Sequence, residues 1–129
     1  MIEVEGKTER EKPTISKVYD LEDRTKQFAR DCRTLIRAII KDIPNKEDGR
    51  QLTRSSGSVA ANYIEANESL SKKDFIYRLK VCRKEAKESK LWLDLILVVD
   101  HDSVELQRRL CQESGELLKI FSSIISKSE

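Results

Sequence analysis

Apolar residues return along most of this chain at alternating intervals of three and four, the spacing that gathers them on one face of a helix. The pattern is clearest in Phe75, Leu79, Cys82, Ala86, Ser89, Leu93 and Ile96, an unbroken four, three, four, three series. Ser71 precedes it as an N-cap with Asp74 three residues on, a capping box with Asp in place of Glu. An earlier stripe holds Leu21, Phe28, Cys32, Leu35, Ile39 and Ile43, with Thr25 filling one slot. Asp20 can cap its start, Glu22 and Asp23 suit the positive end of its dipole, and Pro44 is its expected stop. Asn45 is the expected N-cap of a second helix whose Leu52, Val59, Ala60, Tyr63 and Ala66 share one arc. After a polar turn at Asp100, His101 and Asp102, Ser103 is the expected cap of a helix carrying Leu106, Leu110, Leu117, Ile120, Phe121 and Ile124. The predicted helices cover about 20–43, 46–67, 71–99 and 103–126, and the tail beyond is expected to fray. Their short connections predict an all-α, antiparallel up-down-up-down four-helix bundle.

Two stretches sit uneasily in that pattern. Gly57 lies within RSSGS, a weak helix former, and costs about 1 kcal/mol against Ala inside a helix. Either the helix breaks there, or close packing of small side chains against another helix compensates. The run LWLDLILVV, residues 91–99, is apolar nearly all round, which predicts a helix covered on several sides.

Composition supports the helical reading. With 129 residues, 37% of them charged and only 5% aromatic, and with 4 Gly and 2 Pro, the chain suits a single helical domain over 20–126 better than a turn-rich sheet. Residues 1–19 alternate in charge with little periodicity, so a flexible N-terminal arm is expected there. Cys32, Cys82 and Cys111 are odd in number and far apart, which argues against a disulfide framework or a CxxC metal site and for a reducing compartment. They are readable as small buried hydrophobes or as reactive thiols. The chain has neither a signal-peptide core nor an apolar run of about 18 residues, so no membrane partner is expected and the cytoplasm is the expected location.

Charge changes the picture more than composition does. Residues 71–92 carry eight Lys and Arg against three acids, a net of +5, whereas residues 93–129 carry four against seven, a net of −3. At 100° per residue, Lys72, Lys73, Lys80, Arg83, Lys84, Lys87 and Lys90 fall within one arc of about 120°, and Asp74, Glu85 and Glu88 fall outside it. This basic ridge extends over about 27 Å of helix, a length suited to phosphates along a nucleic-acid backbone. The other reading is an ordinary solvated face, since no aromatic residues interleave with the lysines.

Val81, Glu85, Glu88 and Trp92 form a second stripe on the same helix, beside the core stripe. On helix two, Arg54, Ser58 and Glu65 lie together opposite the apolar arc, with Ser55 and Asn62 at its border. Glu85 and Glu88 are expected to accept hydrogen bonds from Arg54 or a neighbouring subunit, or else to stand in solvent. Paired Glu residues in a bundle suggest a carboxylate metal site, but such sites want Glu-x-x-His from facing helices and this chain holds only His101. No metal and no cofactor are therefore expected. There is also no Gly-rich phosphate loop, no Ser-His-Asp set and no Cys-His spacing, so no catalytic residue is assigned and an enzyme is not expected.

RQLTRSSGSVAANYIEA in helix two, SKKDFIYRLKVCRKEAKES in helix three, the following WL and, more loosely, DLEDRTKQFA carry a resemblance. The chain resembles the bacterial four-helix bundle proteins encoded within intervening sequences of large-subunit ribosomal RNA. The resemblance implies a ring-like homopentamer without assigned enzymatic activity. It marks Arg54, Ser55, Asn62, Glu65, Ser71, Phe75, Glu85, Glu88 and Trp92 without a catalytic role. Accessory proteins of diversity-generating retroelements are similar in fold and assembly, and they bind nucleic acid and a reverse transcriptase through a basic surface. The long extension before Asp20 departs from the family's shorter members. The resulting expectation is a non-enzymatic homo-oligomer that binds RNA or DNA through the ridge; the alternative is a scaffold that contacts a protein partner and no nucleic acid.

Overall fold

The computed structural model describes residues 21–129. Four helices follow in order: α1 (Leu21–Ala38), α2 (Ile43–Asn67), α3 (Lys72–Leu95) and α4 (His101–Ser128). There is no strand among the described residues. Each helix packs on its neighbour in sequence, and α1 also meets α4, closing the set around one apolar core. The arm expected over 1–19 and the cap expected at Asp20 lie outside the described residues.

The heptad series of α3 goes inward: Leu79, Cys82, Ala86, Ser89, Leu93 and Ile96 are buried, against Leu21, Phe28, Cys32 and Leu35 of α1, Leu52, Val59 and Ala66 of α2, and Leu110, Leu117, Phe121 and Ile125 of α4. Ser71 caps α3, its hydroxyl accepting from the Asp74 N–H at 3.0 Å. Helix α2 runs unbroken through Gly57, and the compensation is close approach on two sides. Ser55 and Ser56 are fully buried, and the Ser55 and Ser89 hydroxyls share a hydrogen bond of 2.7 Å between α2 and α3. Towards α1, a Cβ on Gly57 would stand 3.2 Å from Nη2 of Arg33, and one on Gly49 3.3 Å from Cγ2 of Ile36. The Arg33 guanidinium fills the space over Gly57 and donates to the Thr53 carbonyl at 3.2 Å.

Five helix ends differ from expectation. Helix α1 stops at Ala38, five residues short of the predicted 43, and Ile43, 78% exposed, opens α2 instead of closing the core stripe of α1. Pro44 did not stop α1. It lies in the first turn of α2, where the missing N–H had no helical partner to lose, and Asp42 caps that turn by accepting from the Asn45 N–H at 2.9 Å. Helix α3 ends at Leu95, not 99, because Ile96 turns to an extended conformation, and the cover expected over 91–99 is lacking: Leu91, Leu95, Leu97 and Val99 are exposed. Helix α4 is capped by Asp100, not Ser103, through the Ser103 N–H at 3.0 Å, and it continues to Ser128 past the expected end at 126.

One buried amide ties the segments that follow α1 and α3 to each other. Asn45 donates from Nδ2 to the carbonyls of Ile40 (2.9 Å) and Leu97 (3.0 Å), and its Oδ1 accepts from the Leu97 N–H (3.0 Å). It thus joins the α1–α2 connection to the α3–α4 connection. Gln107 completes the end of α3 from α4, donating to the carbonyls of Leu93 (2.7 Å) and Ile96 (2.9 Å). These side chains occupy carbonyls that a helix end otherwise leaves orphaned. Asn45→Ala is expected to destabilise the protein by about 2 kcal/mol, because it strands buried backbone groups on both connections. Urea unfolding with an unchanged slope and a lower midpoint is the signature; an unchanged midpoint excludes this role for Asn45.

Candidate nucleic-acid interface

Because the core stripe of α3 turns inward, the basic arc turns outward. Lys72, Lys73, Lys80, Lys84, Lys87 and Lys90 are exposed and Arg83 is half-buried. Two of these cations engage acids: Lys80 meets Glu129 at 3.4 Å and Lys90 meets Asp94 at 3.4 Å, one helical turn on. Arg83 donates to the Ser122 hydroxyl of α4 at 3.5 Å. Lys72, Lys73, Lys84 and Lys87 have no carboxylate partner among the described residues.

The ridge is also less purely cationic than its sequence suggests. Tyr77, 58% exposed, and Ile76 line a shallow groove with Lys72, Lys73, Lys80 and Glu129. Leu91 lines another with Lys84, Lys87 and Lys90. The expectation of a ridge without interleaved aromatics is corrected by Tyr77, which falls about 20° beyond Lys84 on the helical wheel. Its place nearly opposite the core stripe on the wheel is the signal in the sequence that marks it as part of the outer face.

The second stripe of α3 faces α2. Arg54 reaches across to both carboxylates, with Nη2 to Glu88 at 2.9 Å and Nη1 to Glu85 at 3.5 Å. Glu85 is only 6% exposed, and its Oε1 has the attraction of Arg54 without a hydrogen bond. Further along, Arg78 donates to Oδ1 of Asn62 at 3.1 Å, and Asn62 donates to the carbonyl and hydroxyl of Ser58. Glu65 stays exposed and joins none of this. Trp92 is half-buried against the core, with an indole N–H that is buried and unpartnered.

Elsewhere the ionisable groups do not converge on one point. Burial pushes the thiols of Cys32 and Cys82 up to about 12 and that of Cys111 to about 11, which keeps them protonated at neutral pH and poor nucleophiles. His101 is exposed at the start of α4, 3.9 Å from the equally exposed Asp102. Among the described residues, no group of three or more His, Cys, Asp or Glu is placed to hold a metal ion, and no helix is long and apolar enough to cross a membrane. The cleft between α1 and α4, about 380 Å³, is spanned by Arg24, which is bonded to Glu113 at 2.7 and 2.9 Å and to Glu116 at 2.8 Å. That clamp joins helices 89 residues apart, and no local pattern announced it.

Four helices around one core, with a lysine-lined outer face and no convergent reactive groups among the described residues, define an all-α protein whose surface chemistry is charge. The chain belongs to the 23S rRNA-intervening sequence protein family, whose sequence model matches residues 22–123. It is similar to the crystal structure of a protein of unknown function from the S23 ribosomal protein family of Bacteroides thetaiotaomicron. The two share 29% identity and a TM-score of 0.70, over 81% of this chain and 97% of that one. A search of curated proteins gave no match.

Arg54→Ala is expected to cost about 1–2 kcal/mol, less than the roughly 3–5 kcal/mol of breaking a fully buried pair because Arg54 is itself half exposed. Adding Glu85→Gln should recover most of the loss, since it removes the stranded charge. Thermal or urea unfolding of the two single variants and the double variant measures the coupling. Strict additivity would show that Arg54 does not neutralise Glu85.

Proposed function

We propose that this chain is a non-enzymatic, oligomeric helical protein that binds RNA or another structured nucleic acid through the basic ridge of α3. One observation carries the reading: Lys72, Lys73, Lys84 and Lys87 are exposed along one face of a single helix without an acidic partner among the described residues. Cations left in water on one side of a helix attract a polyanion by releasing its condensed counterions, with strong salt dependence and little sequence preference. Membership of a family described by a ribosomal RNA intervening sequence is compatible with such a partner.

Lys72→Glu, Lys73→Glu, Lys84→Glu and Lys87→Glu together are expected to abolish binding in a low-salt gel-shift assay while leaving helicity and mass unchanged. For the wild type, the slope of log affinity against log salt should be about −3 or steeper if these four lysines contact phosphates. Equal binding by both proteins would remove the ridge from the function. Wild-type protein that binds nothing in low salt and carries no co-purifying absorbance at 260 nm would favour a scaffold with an acidic protein partner.

The assembly belongs to the same proposal: an antiparallel up-down-up-down bundle, repeated as a homopentamer. Contacts such as Ser55 with Ser89 and Asn62 with Arg78, in which one residue number rises as the other falls, support the antiparallel arrangement of α2 and α3. Support for self-association comes from apolar side chains left in water, notably Ile40, Ile43, Leu97 and Val99 on the two connections that Asn45 joins. A ring would repeat the ridge in every copy and raise avidity for a polyanion. Light scattering on the full chain should give a mass near five times 14.9 kDa, about 75 kDa. A mass of one chain would overturn the assembly and leave the ridge to act alone.

A further inference from the structure

We propose that Tyr77 is a stacking platform that makes the ridge select unpaired nucleotides over duplex, an inference that rests on the ridge binding nucleic acid. The ring is 58% exposed in the middle of a cationic groove, flanked on the same outer face by Lys73 four residues before it and Lys80 three residues after it. At 1.5 Å per residue these cations stand about 6 Å and 4.5 Å from Tyr77 along the helix, close enough to hold the phosphates on either side of one stacked base. The ring is also held in place. The Arg78 guanidinium lies over it at 5.7 Å from the centroid, and Arg78 is itself anchored to Oδ1 of Asn62 at 3.1 Å. An exposed aromatic with restricted freedom loses little entropy when a base stacks on it.

Two further features fit this ligand. Lys72 and Lys73 share the first turn of α3 with Asp74, and neither forms an ion pair with an acid among the described residues. The turn itself is capped by Ser71 and carries Asp74, so neither lysine is needed to hold it and both heads stay available to a phosphate. The groove floor is apolar, formed by Ile76 and the Tyr77 ring, whereas its rim is charged. That layout suits a base face within and phosphates at the edge. In a duplex the base faces are already stacked, so only the lysines could engage it; in a single strand both lysines and ring engage. Glu129, 3.4 Å from Lys80, is the anion that a phosphate would displace there.

The test is fluorescence anisotropy at low salt with the full chain, using labelled uridine RNA and thymidine DNA oligonucleotides and an RNA duplex of equal length. Tyr77→Ala should weaken both single strands by roughly tenfold or more and change duplex binding by less than about twofold, with Tyr77→Trp retaining wild-type preference. Light scattering and circular dichroism accompany each variant. Equal losses on single strand and duplex, or no loss on either, would overturn the inference. So would a change in mass on Tyr77→Ala, which would make the ring an assembly contact. If Lys84→Glu with Lys87→Glu abolishes binding and Tyr77→Ala does not weaken it, only this inference fails. If the wild type binds none of the probes, the ridge reading fails with it.

Discussion

The rest of the structure depends on how closely α2 and α3 approach, and that approach is made by two serines. Ser55 and Ser89 are fully buried with their hydroxyls 2.7 Å apart, and neither tolerates a larger side chain without pushing the helices away from each other. A hydroxyl pair satisfies itself at short range, so neither buried serine is left without a partner. Cys82, one heptad before Ser89, lies on the same seam with its thiol 3.6 Å from the Val59 carbonyl. The weak helix formers around Gly57 make sense here: small side chains cost helical propensity and permit the contact.

That seam sets the rotation of α3, and the rotation assigns each of its faces. With Cys82 and Ser89 turned towards α2 and the core, Glu85 falls on the flank nearest Arg54, and the lysine arc is left facing water. A small turn of α3 about its own axis would remove Glu85 from its cation and draw lysine stems towards the core. The polar flank and the basic ridge are therefore not independent features. They are two consequences of one packed interface, and the buried carboxylate acts as a register mark that a slipped helix could not satisfy.

The parts of this arrangement set by periodicity were legible in the sequence. Every position in the series from Leu79 to Ile96 is buried, as the three-four spacing implied, and the lysine arc is outward for the same reason. What the sequence hid were effects of residues distant along the chain. Pro44 had the pattern of a stop for α1 and serves in the first turn of α2, because Asp42 supplies the cap. Asn45 had the pattern of a cap and is a buried tie to Leu97, 52 residues away. The apolar run after Leu91 suggested a longer helix, but Gln107 takes the Leu93 and Ile96 carbonyls at its end and Asn45 holds Leu97 beyond it. Local rules predict which ends are available to a helix; tertiary partners choose among them.

Departures from local preference occur in α2, around Gly57 and at the exposed Ile43, and they are most numerous on α3 and its exit. Acids occupy the first turn of α1, and Asp42 and Asp100 cap α2 and α4. On α3, two lysines share the first turn with Asp74, a tyrosine and a leucine stand in water among cations, a carboxylate is buried, and Leu95, Leu97 and Val99 lie exposed. The clustered cations and the exposed apolar side chains cost stability in an isolated subunit, and the core does not need them. Such departures persist when a contact outside the subunit rewards them. The basic groove and the exposed apolar exit differ in chemistry, and a contact that suits one would not suit the other. A single helix whose inner face is fixed by Ser55 and Ser89 can serve both, because packing leaves those outer faces free to be specified by what they touch.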